Sequence, residues 1–245
     1  IDGLYDLNPD KVGIVDKYYT FASDYGNVVE DWHGVDMGIN TRIRESVILQ
    51  GGFATGRTVQ DNCEVVAKSP EILTSTNPQS AAVDLATSPA TNPYCHQNSG
   101  YRTQYKASGS YTIPKIGIQT SASFQSFSAP GTTTGNFPST IDANYTATNA
   151  VVAPSLGRPL AAGASNVTVN LVAPGTLSGD RVQQLDMAAS KMLRFGRTRT
   201  TLKFEVFNVF NVNPVLTMIP SYASWQTPLT ILSARFAKIG VTFDF

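Results

Sequence analysis

The chain has 245 residues, enough for one large or two small domains with a sizeable core. Only 15% of the residues are charged and the formal net charge is zero, which argues against nucleic-acid binding and against a polybasic membrane-surface patch. The sequence contains no run of about 18 apolar residues, so it predicts no transmembrane helix.

Apolar and polar residues alternate along most of the chain, which is the pattern of strands with one apolar and one polar face. In chain order, the predicted strands lie near residues 30–41, 45–58, 99–110, 115–126, 183–193, 200–210 and 231–245. Strands of about 11 to 15 residues are long for a water-soluble sheet. This length suits strands that cross a bilayer at a tilt.

The connections between the predicted strands alternate between short and long. The short turns are centred on residues 42–46, 111–115 and 195–199, and the long loops cover residues 59–98, 127–182 and 211–230. Short periplasmic turns on one rim and long extracellular loops on the other are typical of bacterial outer-membrane barrels. The sequence therefore predicts an all-β fold, an antiparallel transmembrane β-barrel portion of about seven to nine strands. In the second long loop, "NAVVAP" and "NVTVNLVAP" are either short strands of a hairpin that extends above the rim or two further barrel strands, which gives the upper number.

The two cysteines, Cys63 and Cys95, lie in the turn-rich polar segments "QDNCEVV" and "NPYCHQN". Such a pair is typical of a loop disulfide in an oxidising compartment, and free thiols are the alternative. We expect the disulfide, because closing a loop of about 30 residues stabilises a fold by roughly 3 to 4 kcal/mol.

Residues that could support catalysis or metal binding are few and scattered. His33 and His96 lack the spacing of metal ligands, and no G-x-S-x-G motif is present. Asp180 and Asp186 are expected to be solvated or ion-paired rather than catalytic. The sequence therefore predicts no enzymatic activity, no metal site and no cofactor.

Several charged and amide side chains fall on the polar side of the predicted strands. They are Arg102, Lys106, Gln119, Lys203 and Glu205. In a barrel this side lines the lumen. There these residues either contact a plug or a substrate, or form a hydrated wall in which the charges pair with one another.

The opposite side of the predicted strands is apolar and is expected to face lipid. It carries Tyr101, Tyr105, Ile116, Ile118, Phe124, Ile239, Val241 and Phe243. A carbohydrate-stacking surface is the alternative for Tyr101, Tyr105 and Tyr111. Tyrosines near strand ends are more typical of the aromatic girdles at the two membrane interfaces.

Several segments together carry a resemblance to a known family. They include "DWHGVDMGINTRI", "SGYRTQYKASGSYTIPK", "GDRVQQLDMAASKMLRFGRTRTTLKFEVFNVFNVNPVL" and the ending "LTILSARFAKIGVTFDF". The chain resembles the C-terminal part of large TonB-dependent outer-membrane receptors, in the branch with an N-terminal carboxypeptidase-regulatory-like domain. The resemblance covers about residues 6–245. It implies that residues 1–245 form one C-terminal barrel segment, without the plug and the N-terminal strands of a barrel of about 22 strands.

The resemblance also implies a function and a set of partners. A receptor of this family lies in the bacterial outer membrane and takes up a large ligand, such as a siderophore, an oligosaccharide or a peptide. The implied partners are outer-membrane lipid, the rest of the receptor chain including its plug, an inner-membrane energy-coupling protein, the barrel-assembly machinery and an unidentified ligand, but not nucleic acid. The alternative is a stand-alone β-rich fragment with its own binding or hydrolytic activity.

The last residues, "KIGVTFDF", resemble the β-signal that the outer-membrane assembly machinery recognises. The matching positions are the polar Lys238, Gly240 and the hydrophobic residues Phe243 and Phe245. The physical basis is that a last strand with an unpaired edge can pair with the machinery before the barrel closes.

Overall fold

A computed structural model describes residues 5–14, 19–43, 46–69, 90–91, 94–129 and 140–245. The strands in chain order are β1 (Val29–Ile43), β2 (Val47–Asp61), β3 (Ala90–Thr91), β4 (His96–Asn98), β5 (Arg102–Ile113), β6 (Ile118–Ser128), β7 (Asn144–Thr148), β8 (Asn166–Asn170), β9 (Arg181–Phe195), β10 (Thr198–Phe207), β11 (Val215–Met218), β12 (Pro228–Ile231) and β13 (Phe236–Asp244). Two short α-helices are present among these residues, α1 (Cys63–Lys68) and α2 (Asn149–Leu156). The expected predominance of antiparallel strands is confirmed.

Seven long strands form the main sheet, in the order β1-β2-β5-β6-β9-β10-β13. Every neighbouring pair is antiparallel, and the short strand β4 pairs with β2 beside β5. The seven strands correspond to the seven predicted ones, with shifted ends. The last strand begins at Phe236 rather than at residue 231, because Pro228–Ile231 pairs with β11 instead.

The turns between the long strands also differ in detail from the prediction. Residues 114–117 form the turn after β5, where Lys115 has a φ of 73° and Gly117 a φ of 60°. Ile116 therefore lies in this turn, and the prediction that it lies on the apolar side of a strand is wrong. Gly196, with a φ of 61°, begins the two-residue turn between β9 and β10, where glycine adopts this conformation without strain.

The registers give the main sheet two chemically distinct faces, because directly opposed residues lie on the same side of a sheet. One row across all seven strands contains Thr41, Leu49, Gly109, Ala122, Met187, Val206 and Ala237. A row on the other side contains Arg42, Ile48, Ser110, Ser121, Ala188, Glu205 and Lys238. We call these sides the apolar face and the polar face.

The apolar face is not covered by other described parts of the chain. Met37 is 63% exposed, Phe204 48%, Ile239 78% and Phe243 63%. Among the described residues, Val182 is the one buried hydrophobic residue of the seven long strands. Large exposed apolar surfaces generally mark contact with a membrane or with another protein. Lys191, opposite Ile118 and Leu202, is a charged residue on this side near the turn end.

A small hydrophobic core of buried side chains lies instead in the second long loop. β7 pairs with β8, β8 also pairs in parallel with β3, and Leu160 joins Ala147, Val167 and Val169 in a buried cluster. The segment "NAVVAP" was expected to be a strand, which is wrong: it lies in α2, whose Val152 and Leu156 pack on this cluster. The segment "NVTVN" is a strand, β8, but it belongs to this small sheet and adds nothing to the main one.

The long loops contact one another at the end of the sheet opposite the short turns. The backbone N–H of Asn144 donates to Pro220 O at 2.7 Å, and Trp225 Nε1 donates to Asp142 O at 3.0 Å. The rings of Tyr145 and Tyr222 meet edge to face with centroids 5.5 Å apart. These contacts join the second and third long loops into one loop layer.

The N-terminal segment is attached to the same loop layer. Asp6 forms an ion pair with Arg158, and its Oδ2 accepts a hydrogen bond of 2.9 Å from the backbone N–H of Ala161. Arg158 Nη2 also donates to Leu7 O at 2.9 Å. Nearer to β1, the backbone N–H of Asn27 donates to Glu64 Oε2 at 2.9 Å. The chain therefore enters β1 from the loop end of the sheet.

The third long loop begins at Asn208, which is 2% exposed and has a φ of 51°. Its Nδ2 donates to Val212 O and Ser233 O, both at 2.8 Å, and its Oδ1 accepts from the backbone N–H of Val212 at 3.2 Å. Its own backbone N–H donates to Asp186 Oδ1 at 2.8 Å. This left-handed residue ends β10 and ties the loop to β9, which is why the strand stops short of the predicted residue 210.

Replacing Asn208 tests this role. We expect Asn208→Ala to lower the free energy of unfolding by about 2 to 4 kcal/mol, because buried hydrogen bonds are lost and alanine is strained at this φ. Asn208→Gly loses the same hydrogen bonds without the strain, so its cost is expected to be smaller. Urea unfolding followed by circular dichroism measures both, and equal stability of Asn208→Ala and the parent chain would contradict the assignment.

Candidate functional site

The polar face is the candidate functional surface, because it gathers side chains that can bind a polar ligand or a polar partner. All five predicted lumen residues lie on the polar face, because the strand registers place each of them on that side of the sheet. They are Arg102, Lys106, Gln119, Lys203 and Glu205. Gln119 and Lys203 belong to one row, separated by Ser190 of β9. Lys106 lies on β5, the strand next to β6, opposite Gln125.

The charges of β10 and β13 pair with one another. Lys203 Nζ lies 2.6 Å from Glu205 Oε1, and Lys238 Nζ lies 3.7 Å from Glu205 Oε2. Glu205 and Lys238 are directly opposed in the register. These three residues therefore form a charge-paired part of the wall rather than a set of free charges.

A second polar network crosses the centre of the sheet. Gln125 Nε2 donates to Gln184 Oε1 at 3.0 Å, and Gln184 Nε2 donates to the two carboxylate oxygens of Asp186 at 3.0 and 3.1 Å. Asp186 also accepts the backbone N–H of Asn208. Asp180, which precedes β9, accepts the backbone N–H of Val215 at 2.9 Å. Both carboxylates therefore hold loop backbone in place.

Arg102 anchors loops to the polar face at the first position of β5. Its Nε donates to Ser99 O at 2.8 Å, and its Nη1 donates to the hydroxyl of Ser178. Its Nη2 lies 3.4 Å from Gly175 O. This guanidinium therefore fixes the second long loop to β5.

The disulfide lies in the first long loop, between Cys63 at the start of α1 and Cys95 before β4, as expected from the sequence. Asp61 Oδ1 accepts the backbone N–H of Cys63, and Asp61 Oδ2 lies 2.9 Å from His96 Nδ1. The Cys63 N–H, followed by the His96 hydrogen bond, lowers the pKa of the Asp61 carboxyl below its usual value. His96 therefore has a structural partner.

Near the loop end, the apolar face carries arginines that stack on tyrosine rings. The guanidinium of Arg57 lies 5.4 Å from the ring centroid of Tyr101, and that of Arg181 lies 5.6 Å from the centroid of Tyr105. Arg181 Nη1 also donates to Thr103 O at 2.9 Å. Cations stacked on aromatic rings give this edge an amphipathic border. Sequence analysis found the tyrosines but missed both arginines, whose contacts cross strands.

The residues of the proposed assembly signal lie in or just after β13. Lys238 and Gly240 are on the polar face, and Phe243 is on the apolar face. Phe245 follows the strand and is fully exposed. Within the described residues, β13 pairs with β10 alone and β1 pairs with β2 alone, so both outer strands present an unpaired edge.

Sequence analysis also missed Trp32, whose large ring belongs to the polar face of β1. It is opposed to Thr58 and is 63% exposed. The ring lies over Gly34 of its own strand and Gly56 of β2. The only signal in the sequence is that a tryptophan occupies a position that the alternation assigns to the polar side of the strand, with a glycine two residues later.

The described residues show no cluster of metal ligands and no membrane-spanning helix. Within residues 5–14, 19–43, 46–69, 94–129 and 140–245, no group of three His, Cys, Asp or Glu side chains is placed to hold a metal ion. Among the described residues, no helix combines the length and the apolar character needed to span a membrane. Comparison with protein-family models, with curated proteins and with solved structures found no match. The function is therefore inferred from the geometry of the sheet.

The contribution of the disulfide can be measured directly. We expect the double variant Cys63→Ser/Cys95→Ser to lose about 3 to 4 kcal/mol of unfolding free energy, because the bond closes a long loop in the unfolded chain. Urea unfolding of the oxidised parent, the reduced parent and the variant gives the comparison. The variant and the reduced parent should agree, and an oxidised parent no more stable than either would contradict the expectation.

Proposed function

We propose that this chain is part of the wall of a bacterial outer-membrane transport barrel of the TonB-dependent receptor type. In this proposal the apolar face contacts lipid and the polar face lines the lumen. The observation that carries it is the continuity of the two faces through seven antiparallel strands. A one-residue slip at any pair would interrupt both faces, and no pair shows one.

The dimensions of the strands support the bilayer placement. A strand crosses the hydrocarbon core with about 9 to 11 residues when it is tilted. The seven long strands have 15, 15, 12, 11, 15, 10 and 9 residues. The excess of β1 and β2 lies at the loop end, where β2 continues past β5 and pairs with β4 of the first long loop.

The chemistry at the two ends of the apolar face supports the same placement. Tyr101 and Tyr105 lie toward the loop end with arginines over their rings, and Tyr111 lies toward the turn end. Amphipathic aromatic rings settle at the headgroup level of a bilayer, and guanidinium groups suit the anionic headgroups there. In this arrangement the loops are extracellular and the short turns periplasmic.

The unpaired edges of β1 and β13 support membership of a larger sheet. In hydrocarbon every backbone N–H and C=O must have a partner, so an open sheet does not persist there. The rest of the receptor chain would supply the strands that pair with both edges, and its plug would contact the polar face. Uptake would then draw energy from an inner-membrane protein acting through that plug.

The alternative of a stand-alone β-rich fragment has a specific difficulty. Such a fragment would expose the apolar face and two long edges to water, which favours aggregation. The small core of the second long loop is the one described region with the burial of a soluble domain, and it covers no part of the apolar face. The receptor proposal accounts for both observations.

The membrane placement can be tested with two neighbouring alanines of β9. Ala188 lies on the polar face and Ala189 on the apolar face, and both are half-buried. In the full-length receptor in bilayers, a spin label at Ala189→Cys should be relaxed mainly by oxygen, and one at Ala188→Cys mainly by a water-soluble nickel complex. The natural cysteines of this chain are joined, so they do not compete for the label.

The matched pair makes the result decisive, because residue type, strand and depth are nearly constant. Equal accessibility of the two labels to both quenchers would contradict a membrane wall. Accessibility of the Ala189→Cys label to the nickel complex alone would place the apolar face in water and would also contradict it.

The terminal residues give a second test of the proposal. We expect Phe245→Ser to lower the amount of assembled receptor in the outer membrane several-fold, with little change in the stability of receptor that does assemble. Burial of one terminal ring contributes at most a few kcal/mol of free energy. This is small beside the free energy of pairing a whole sheet. Its effect should therefore be kinetic, while slow non-local pairing leaves an edge open.

The measurements are heat-modifiable, protease-resistant receptor in isolated outer membranes, and the unfolding midpoint of that fraction. Phe236→Ser is the control at the other end of β13, where the ring stacks on Phe207 with centroids 4.6 Å apart. It should lower the unfolding midpoint more than Phe245→Ser does. Equal assembly of Phe245→Ser and the parent would contradict the assembly-signal assignment.

A further inference from the structure

Trp32 is held as a flat platform by glycines of two strands. A Cβ added to Gly56 would lie 2.6 Å from Trp32 Cζ2 and 2.8 Å from its Cε2, and one added to Gly34 would also overlap the ring. The indole can therefore lie against both strands only because neither position carries a side chain. One side of the ring is supported by backbone, and much of the residue remains exposed.

The platform borders an open groove of about 460 Å³ on the loop side of the polar face. Asp36, Thr58 and Gln104 line it with a carboxylate, a hydroxyl and an amide, and Phe127 contributes a second aromatic ring. Arg102 also lines the groove, but its donors are engaged by Ser99 and Ser178. The groove thus combines aromatic rings with neutral and acidic hydrogen-bonding groups.

This combination matches the chemistry of a sugar ring. A pyranose has an apolar C–H surface that can stack on an indole, and a rim of hydroxyls that hydrogen-bond to carboxylates, amides and hydroxyls. A ring already fixed by its neighbours loses little conformational entropy when a ligand stacks on it. The Asp36 carboxylate offsets the charge of Arg102, whose donors are engaged by loop oxygens, so the groove has no net positive charge to attract a polyanionic ligand.

We propose that the groove beside Trp32 binds a neutral oligosaccharide, with the indole stacked on one sugar ring and Asp36, Thr58 and Gln104 bonding its hydroxyls. The proposal deepens the transport function and rests on it for the route by which the sugar reaches the polar face. Binding itself requires only that the main sheet be folded.

The test uses the full-length receptor purified in a detergent without a sugar headgroup, applied to an array of neutral glucan, xylan, mannan and galactan oligosaccharides. The tightest oligosaccharide is then measured by calorimetry with the parent and three variants. Trp32→Ala should weaken binding about tenfold or more, because a central stacked aromatic ring carries much of the affinity. Gly56→Ala should also weaken it by lifting the ring, although it removes no ligand-binding group.

Gly38→Ala is the matched control on the same face of β1. A Cβ at this position meets nothing closer than Gly51 O at 3.9 Å, so affinity should stay within about twofold of the parent. Far-UV circular dichroism and the intact disulfide on a non-reducing gel establish that each variant is folded. Absence of binding across the array, or binding that Trp32→Ala and Gly56→Ala leave unchanged, would overturn the proposal.

The outcomes separate this proposal from the transport function. A folded chain without sugar binding, together with unequal spin-label accessibility at Ala188 and Ala189, would overturn the sugar site alone. Sugar binding that depends on Trp32, together with equal accessibility of the two labels, would support the site and contradict the membrane wall.

Discussion

Continuous antiparallel backbone pairing is the constraint on which the rest of this structure depends. Each long strand pairs with a strand that is its neighbour in the meander, and the registers run without a slip from β1 to β13. Because side chains alternate sides, this pairing alone decides which residues share a face. Glu205 meets Lys238, and Trp32 reaches Gly56, only because these registers hold.

The main sheet and the loop layer are stabilised by different interactions. The main sheet buries almost no hydrophobic side chain against protein, so its strands depend on backbone hydrogen bonds and on whatever medium covers the apolar face. The loop layer is stabilised differently, by a small core around Val169, by the disulfide and by the contacts of Arg102 and Asn208. The proposed bilayer placement is consistent with both, because an apolar solvent favours the first arrangement and water the second.

The sequence predicts the long strands well because the period of two is local, and each residue's face follows from its neighbours in the chain. It fails where the deciding partner is distant in the sequence. Trp32 looks like an interruption of a polar row until Gly56 of the next strand is seen beneath it. "NAVVAP" shows no period that separates strand from helix, and its packing on Leu160 and Val167 decides. Asn208 ends β10 through contacts with Val212 and Ser233 that no local pattern reveals.

Arg102 couples the loop layer to the polar face, in addition to Asp186, which accepts the backbone N–H of Asn208. Arg102 lines the groove beside Trp32 and at the same time holds Ser178 of the second long loop and Ser99 of the first. Movement of Ser99 or Ser178 would therefore shift a side chain in the wall of the groove, and a ligand that displaced the guanidinium would remove its contacts with both loops. In the proposed barrel the loops lie at the end where a ligand from outside would enter, so sugar binding at the groove would be linked to the position of the loop layer.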